Sequence, residues 1–246
     1  MNEEIGSKFI APFQMAEIEI NSHCNRRCSY CPQSVPGYRK PPRFMTLEAF
    51  QKIMLILRDA EFKGRISYHF FNEPLLHPQI YEIVSSAATI CPEAHQVIFT
   101  NGDLLTEECY LKLIECGASK IVVTSHGGKV FPERERQVNL TPQDLHLTNR
   151  GGKVLEKIAI LSTPCFAPST MLIVGVNGNV MLCYEDADRT TTFGNLFETS
   201  LEQIWFSPSA VEVRRRLESG DRDVRKVCSE CSNITHESPI VYDLHP

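Results

Sequence analysis

The chain has 246 residues, 42% hydrophobic and 22% charged, with a formal net charge of −5. That length suits one sizeable domain or one domain plus a small one, and the mild acidity argues against nucleic acid or an anionic membrane as partner. Ten cysteines, with no signal-like apolar start and no run of 18 apolar residues, predict a cytoplasmic protein whose thiols serve metal or redox chemistry rather than disulfides.

Residues 1–14 read as a loose lead-in. Glu17-Ile18-Glu19-Ile20 alternates polar and apolar residues and predicts a first strand over 16–21. Cys24, Cys28 and Cys31 follow directly, then a basic, Pro-rich segment over 32–43. Thr46 is an N-cap for a helix with the apolar stripe Leu47, Phe50, Met54 and Leu57, which Gly64 is expected to end. A second strand is predicted over 65–70, and a helix opening at Pro78 buries Ile80, Tyr81, Val84 and Ala88. A third strand (96–100), a helix capped by Thr106 and ending before Gly117, and a fourth strand (120–124) complete the regular part. Strands alternating with helices of this length predict right-handed βαβ units and a parallel sheet.

Beyond Thr124 the pattern fails, and only 145–147 offers another strand before Cys165. The α/β architecture is therefore expected to be open and short, and the resemblance described below implies an open, shortened partial (β/α) barrel. From Cys165 the character changes. Residues 171–176, the Asn177-Gly178 turn and 179–183 predict a β-hairpin, with helices near 200–206 and 209–219. The expected division is a barrel domain over 1–150 and a small α+β domain over 151–246. Arg214-Arg215-Arg216 reads as a solvated helix face.

The first three cysteines have C-x3-C-x2-C spacing. Thiolates are the preferred ligands of iron–sulfur clusters, and three in one loop leave one iron of a four-iron cube for an outside ligand. A zinc site would need a fourth ligand, and the adjoining His23 points away from Cys24 at a strand end. Buried, unligated thiols are the other alternative. Cys165, Cys183, Cys228 and Cys231 form a second set, with one thiol before the hairpin, one at its end and a C-x2-C after two helices. Four thiolates close either an iron–sulfur cluster or a zinc site, and spacing does not choose between them. Ligands gather at the C-terminal ends of parallel strands. There the sequence sets the first cysteine loop, Phe71-Asn72-Glu73-Pro74, Thr100-Asn101-Gly102-Asp103 and Ser125-His126-Gly127-Gly128.

The first cysteine motif resembles the signature of the radical S-adenosylmethionine (SAM) enzymes. The resemblance implies a 4Fe–4S cluster on Cys24, Cys28 and Cys31, whose open iron is chelated by SAM, and reductive cleavage of SAM to a 5′-deoxyadenosyl radical. Phe71-Asn72-Glu73-Pro74 resembles the family's Gly-Gly-Glu-Pro with both glycines replaced, which implies Glu73 at SAM's ammonium. Thr100 and Asn101 then stand near the ribose or carboxylate, Ser125 and His126 are similarly placed, and Tyr30 resembles the aromatic beside the adenine. The second cysteine set, with Phe193-Gly194-Asn195-Leu196 and 201–205 between its members, resembles the twitch domain, a shortened SPASM domain with an auxiliary 4Fe–4S cluster on Cys165, Cys183, Cys228 and Cys231.

Thr100 to Glu107 and Thr148-Asn149-Arg150-Gly151-Gly152 narrow the resemblance to members that oxidise a secondary alcohol of an aminocyclitol to a ketone in aminoglycoside antibiotic biosynthesis. It covers 16–233. It implies Arg150 as a substrate contact considered as the base, although guanidinium is always protonated and better stabilises a developing alkoxide or ketyl. Phe71 and Tyr184 become pocket walls. A polyol or amino sugar is the implied substrate, and an external one-electron donor such as flavodoxin or ferredoxin the implied partner. The alternative within the family is an epimerase that quenches the substrate radical with a thiol. Of Cys91, Cys109 and Cys116, only Cys109 is near the active face, where it reads as helix packing. A non-catalytic zinc-binding interaction module is the alternative from another class.

Overall fold

The computed structural model describes residues 8–39, 41–154 and 161–236. Strand β1 (Met15–Ile18) leads through the first cysteine loop to α1 (Leu47–Asp59). Thr46 Oγ1 accepts the Ala49 N–H at 3.2 Å, which nucleates the helix, and its apolar stripe buries Phe50, Ile53, Met54 and Leu57. Then come β2 (Arg65–Ser67), α2 (Ile80–Ile90), β3 (His95–Thr100), α3 (Glu107–Glu115), β4 (Lys120–Thr124) and β5 (Gln137–Leu140). Thr106 caps α3 as Thr46 caps α1. A short helix α4 (Ala167–Thr170) precedes the hairpin β6 (Met171–Val174) and β7 (Asn179–Met181), followed by β8 (Thr192–Asn195), α5 (Leu201–Trp205), α6 (Pro208–Glu218) and α7 (Lys226–Glu230).

All eight strands form one sheet in the order β5-β4-β3-β2-β1-β6-β7-β8. Strands β1 to β5 are parallel, as the βαβ pattern predicts, and β6 also lies parallel to β1. Strands β7 and β8 add antiparallel, so the C-terminal hairpin extends the barrel sheet. One face packs Ala16, Ile18, Ile66, Tyr68, Ile98 and Val123 against the stripes of α1 to α3. On the other face Met15, Phe71, Met171, Ile173, Met181 and Cys183 share a smaller core with Val213 and Leu217 of α6. Among the described residues no helix is long and apolar enough to cross a membrane.

Four sequence expectations change. Residues 8–14 are anchored: Ala11 N–H donates to Ala60 O at 2.8 Å, and the Phe13 ring lies between Phe62 (5.3 Å) and Trp205 (5.1 Å). Helix α1 stops at Asp59, before Glu61 turns left-handed (φ 51°), whereas at Gly64 a Cβ would collide with the Gln14 carbonyl. No strand forms at 145–147. Strand β5 lies earlier, in register Ile121↔Gln137 to Thr124↔Leu140, and its Gln-Val-Asn-Leu edge is too polar and short to signal itself. Arg214 is not a solvated charge, because its guanidinium lies 4.4 Å over the Trp205 ring and donates to Trp205 O at 2.6 Å.

Candidate active site

The first cysteine loop leaves β1 at the C-terminal edge of the sheet and is held by the ends of β3 and β4. Arg26 forks onto Asp103 (Nε to Oδ2 2.7 Å, Nη2 to Oδ1 2.5 Å), and Asn25 Nδ2 donates to the same carboxylate at 2.8 Å. Asn101 Nδ2 donates to Asn25 Oδ1 at 2.7 Å. Tyr30 hydroxyl meets His126 Nδ1, with ring centroids 5.8 Å apart, so two side chains 96 positions apart in sequence close one wall. Cys24 Sγ accepts from the Arg26 N–H at 3.4 Å. Burial, opposed by that bond, pushes the Cys24 thiol up to about 11. Such a thiol ionises when a metal cation takes its sulfur, and N–H donors aimed at cluster sulfurs tune potential.

Glu73 is 2% exposed at the end of β2 and joins three strands' loops. Its Oε1 accepts from Thr100 Oγ1 (2.7 Å) and Leu75 N–H (3.1 Å), its Oε2 from Asn101 N–H (2.8 Å). Burial raises its pKa to about 6, against the pull of these bonds. Asn72, in a glycine's place, turns its side chain inward, accepting from Phe70 N–H at 2.7 Å and donating to Tyr68 O at 3.1 Å. Ser125 hydroxyl donates to Lys129 O at 2.6 Å. The polar side chains that the sequence marks at these strand ends thus brace one another's loops.

The second cysteine set sits where the hairpin meets α6 and α7. Cys183, Cys228 and Cys231 are buried and Cys165 half-buried, and all four line one cavity with about 380 Å³ of non-atom space including its mouth. Burial first, then mutual proximity, pushes Cys228 up to about 12, and burial with the nearby Glu185 carboxylate does the same to Cys231. Among the described residues no three His, Cys, Asp or Glu side chains converge as a mononuclear metal cage. The all-sulfur donor set, four thiols lining one cavity, fits an iron–sulfur cube. His23 Nδ1 lies 3.4 Å from the Arg39 guanidinium.

Between the two sets stands Arg150. Its guanidinium lies 5.6 Å over the Phe71 ring and 5.9 Å over the Tyr184 ring, and Nη1 donates to Glu185 Oε1 at 3.3 Å. Arg150, Gly151 and Gly152 are all left-handed (φ 49°, 59°, 83°), which explains the paired glycines. A Cβ on Gly151 would meet the Val227 side chain. Glu185 is 4% exposed and also accepts from Thr148 Oγ1 (2.9 Å) and Asn233 Nδ2 (2.8 Å). Tyr184 hydroxyl meets His236 and accepts from Asn233 Nδ2 at 3.0 Å. Phe71, Arg150 and Tyr184, read separately from sequence, are brought together.

Sequence reasoning missed Glu17, Arg65, His69, Glu185 and Asn233. The signal was present at β1: strands covered on both faces read as continuous apolar runs, so charge alternating through a central strand marks a polar lumen. Glu17 was read only as strand patterning.

The chain matches the model of the radical SAM superfamily over residues 18–161 and that of the SPASM iron–sulfur cluster-binding domain over 165–232. It is 36% identical to the S-adenosyl-L-methionine-dependent 2-deoxy-scyllo-inosamine dehydrogenase of Niallia circulans, covering 94% of this chain and 97% of that one. A GTP 3′,8-cyclase of Chlorobaculum tepidum is 26% identical over 81% of this chain and 59% of its own. The crystal structure of BtrN with AdoMet and 2-DOIA superposes with a TM-score of 0.87 at 36% identity (94% and 97% coverage), and an open form of BtrN with 0.76 at 33% (92% and 94%). With these matches, the sulfur-only donor sets and the parallel sheet have one explanation: the chain belongs to the radical SAM superfamily, with the family's SAM and 4Fe–4S cofactors and a second, C-terminal iron–sulfur domain.

Proposed function

We propose that the protein is a radical SAM dehydrogenase that oxidises a secondary alcohol of 2-deoxy-scyllo-inosamine, or a closely related aminocyclitol, to a ketone. The observation that carries this reading is Arg150, set over the Phe71 and Tyr184 rings and paired with Glu185, with its charge acting on Cys31 of the first thiol set. An aromatic-walled pocket with one fixed cation and one buried carboxylate suits a ligand carrying both hydroxyl and ammonium groups. SAM and a cluster held by Cys24, Cys28 and Cys31 would supply a 5′-deoxyadenosyl radical, and a cluster held by the second thiol set would supply an electron acceptor. Cys24, Cys28 and Cys31 are the ligands we assign to the first cluster, and Cys165, Cys183, Cys228 and Cys231 those of the second. Tyr30, Glu73, Thr100, Asn101, Ser125 and His126 shape the SAM site. The boundary near residue 150 is then a division of labour, with radical generation before it and electron removal after it.

Phe71 and Tyr184 orient the sugar ring and exclude water, and Arg150 stabilises oxygen as negative charge develops on it. An external one-electron donor of the flavodoxin or ferredoxin kind completes the cycle. The epimerase alternative requires a thiol beside the substrate. Cys91 packs in the helix-side core with Sγ directed at Met54 O, and Cys109 and Cys116 pack against that same core. The test is incubation of the reconstituted enzyme with SAM, a reductant and 2-deoxy-scyllo-inosamine: a ketone is expected, and an isomer of unchanged mass would replace this reading with epimerisation.

A further inference from the structure

The register of β1 against β2 pairs Glu17 with Ser67 and sets Arg65 two positions earlier and His69 two later along the lumen face. Glu17 Oε1 accepts from Arg65 Nη2 at 2.5 Å, and Oε2 lies 3.2 Å from His69 Nδ1. The Phe99 ring supports both partners, 4.7 Å from the His69 ring and 5.3 Å from the Arg65 guanidinium. Among the described residues, the buried side-chain atoms without a hydrogen bond are Glu17 Oε2, Arg65 Nε, Ser67 Oγ, His69 Nδ1 and Arg150 Nε. Four belong to this wall, where Glu17 Oε2 and His69 Nδ1 face each other at 3.2 Å while Arg65 Nε and Ser67 Oγ have no hydrogen-bond partner, and the fifth belongs to an arginine whose charge acts on His69. Buried polar atoms are normally paired, so this concentration marks a wall built to meet a polar ligand.

We propose that His69, oriented by Glu17, accepts the hydroxyl proton of the substrate during its oxidation, with Arg150 stabilising the same oxygen. The proposal rests on the dehydrogenase reading. Arg65 fixes one carboxylate oxygen of Glu17, the other faces Nδ1 and selects the tautomer, and Nε2 is left as the acceptor. The side chain stays 30% accessible, as a lumen wall should. Burial holds the imidazole below its ordinary value and so neutral at pH 7; Glu17 pulls the other way, while Arg65 and Arg150 reinforce burial. Arg150 cannot take the proton, because a guanidinium already carries it. The carbinol hydrogen leaves as an atom to the 5′-deoxyadenosyl radical and the hydroxyl proton passes to His69 Nε2. The electron remaining on the ketyl is accepted by the iron–sulfur group of the second thiol set as the C=O double bond forms.

The test uses full-length, reconstituted H69Q and E17Q with SAM and 2-deoxy-scyllo-inosamine deuterated at its carbinol carbons. H69Q should bind this aminocyclitol with little change in calorimetric affinity and still move deuterium into 5′-deoxyadenosine. Its ketone yield per 5′-deoxyadenosine should fall on the order of 10²-fold, the low end of general-base catalysis. E17Q should shift the acid limb of ketone formation to lower pH, because the Glu17 charge raises the His69 pKa; a packing role would leave that limb in place. An unchanged ketone ratio in H69Q, or joint loss of aminocyclitol affinity and deuterium transfer, overturns the assignment while leaving the dehydrogenase reading intact. If the unaltered protein makes no ketone, the dehydrogenase reading falls first and the step given to His69 falls with it.

Discussion

The two thiol sets use the same donor chemistry in opposite settings. Cys24, Cys28 and Cys31 are half-buried in a loop at the sheet's C-terminal edge, whose Arg26 and Asn25 are braced from outside by Asp103 and Asn101. The other set draws its thiols from before and after the hairpin and from α7, three of them buried, around one cavity. Three thiols in one loop leave one iron of a cube open to a reacting molecule, whereas four around one cavity leave none. The difference teaches that ligand count and enclosure, not ligand type, separate a radical-generating site from an electron sink.

Removing a ligand from each set is the harshest way to break this comparison. Cys28→Ala should abolish SAM cleavage while retaining about half the iron, as the proposed assignment of one cube to each set requires. Iron analysis and 5′-deoxyadenosine detection check both halves, and zinc in the retained site would contradict the second. Cys183→Ala should do the reverse, losing the second cluster and ketone formation while SAM cleavage persists. A Cys183→Ala protein that kept its second cluster and released ketone would make Cys183 a substrate-facing thiol.

Glu73 sharpens the comparison from the open side. Replacement by Ala removes a charge-assisted acceptor worth about 1.5–3 kcal/mol, so SAM should bind roughly ten- to a hundredfold more weakly. The pH dependence carries a distinctive sign. With its folded pKa raised from 4.5 to about 6, the carboxylate is ionised above that value, and SAM affinity should fall as pH drops through it. Its contribution to stability runs oppositely, being fully present below about 4.5 and lost as pH rises past about 6. Titrating SAM affinity and melting temperature over this window should give opposite slopes, absent from Glu73→Ala. The mildest test concerns the left-handed turn at Arg150–Gly152: Gly151→Ala forces a left-handed Ala against Val227 and should cost about 1–3 kcal/mol, read as a lowered melting temperature.

Much of this was legible in the sequence because its signals are local. Thr46 and Thr106 announce two helices, and strands alternating with helices dictate a parallel sheet whose C-terminal edge collects ligands. The cysteine spacings carry the cofactor chemistry. What sequence hid depends on long-range placement. Strand β5 is an edge with weak patterning, and β6 joins β1 across more than 150 residues, which no local rule foretells. Polar candidates such as Ser125, Thr100 and Asn101 were visible, but not that their side chains are spent on bracing loops. Glu17 and His69 stayed hidden because alternation shows that a strand has two faces without showing that the polar one lines a lumen.

The account's central claim is that an open radical site works against a fully thiol-ligated electron sink, and product mass tests it most directly. With 2-deoxy-scyllo-inosamine and SAM in heavy water, the account predicts a product two hydrogens lighter than the substrate, with no solvent deuterium on carbon. A product of the substrate's own composition carrying one deuterium on carbon would contradict it, because the radical would then have been quenched by an exchangeable thiol rather than oxidised.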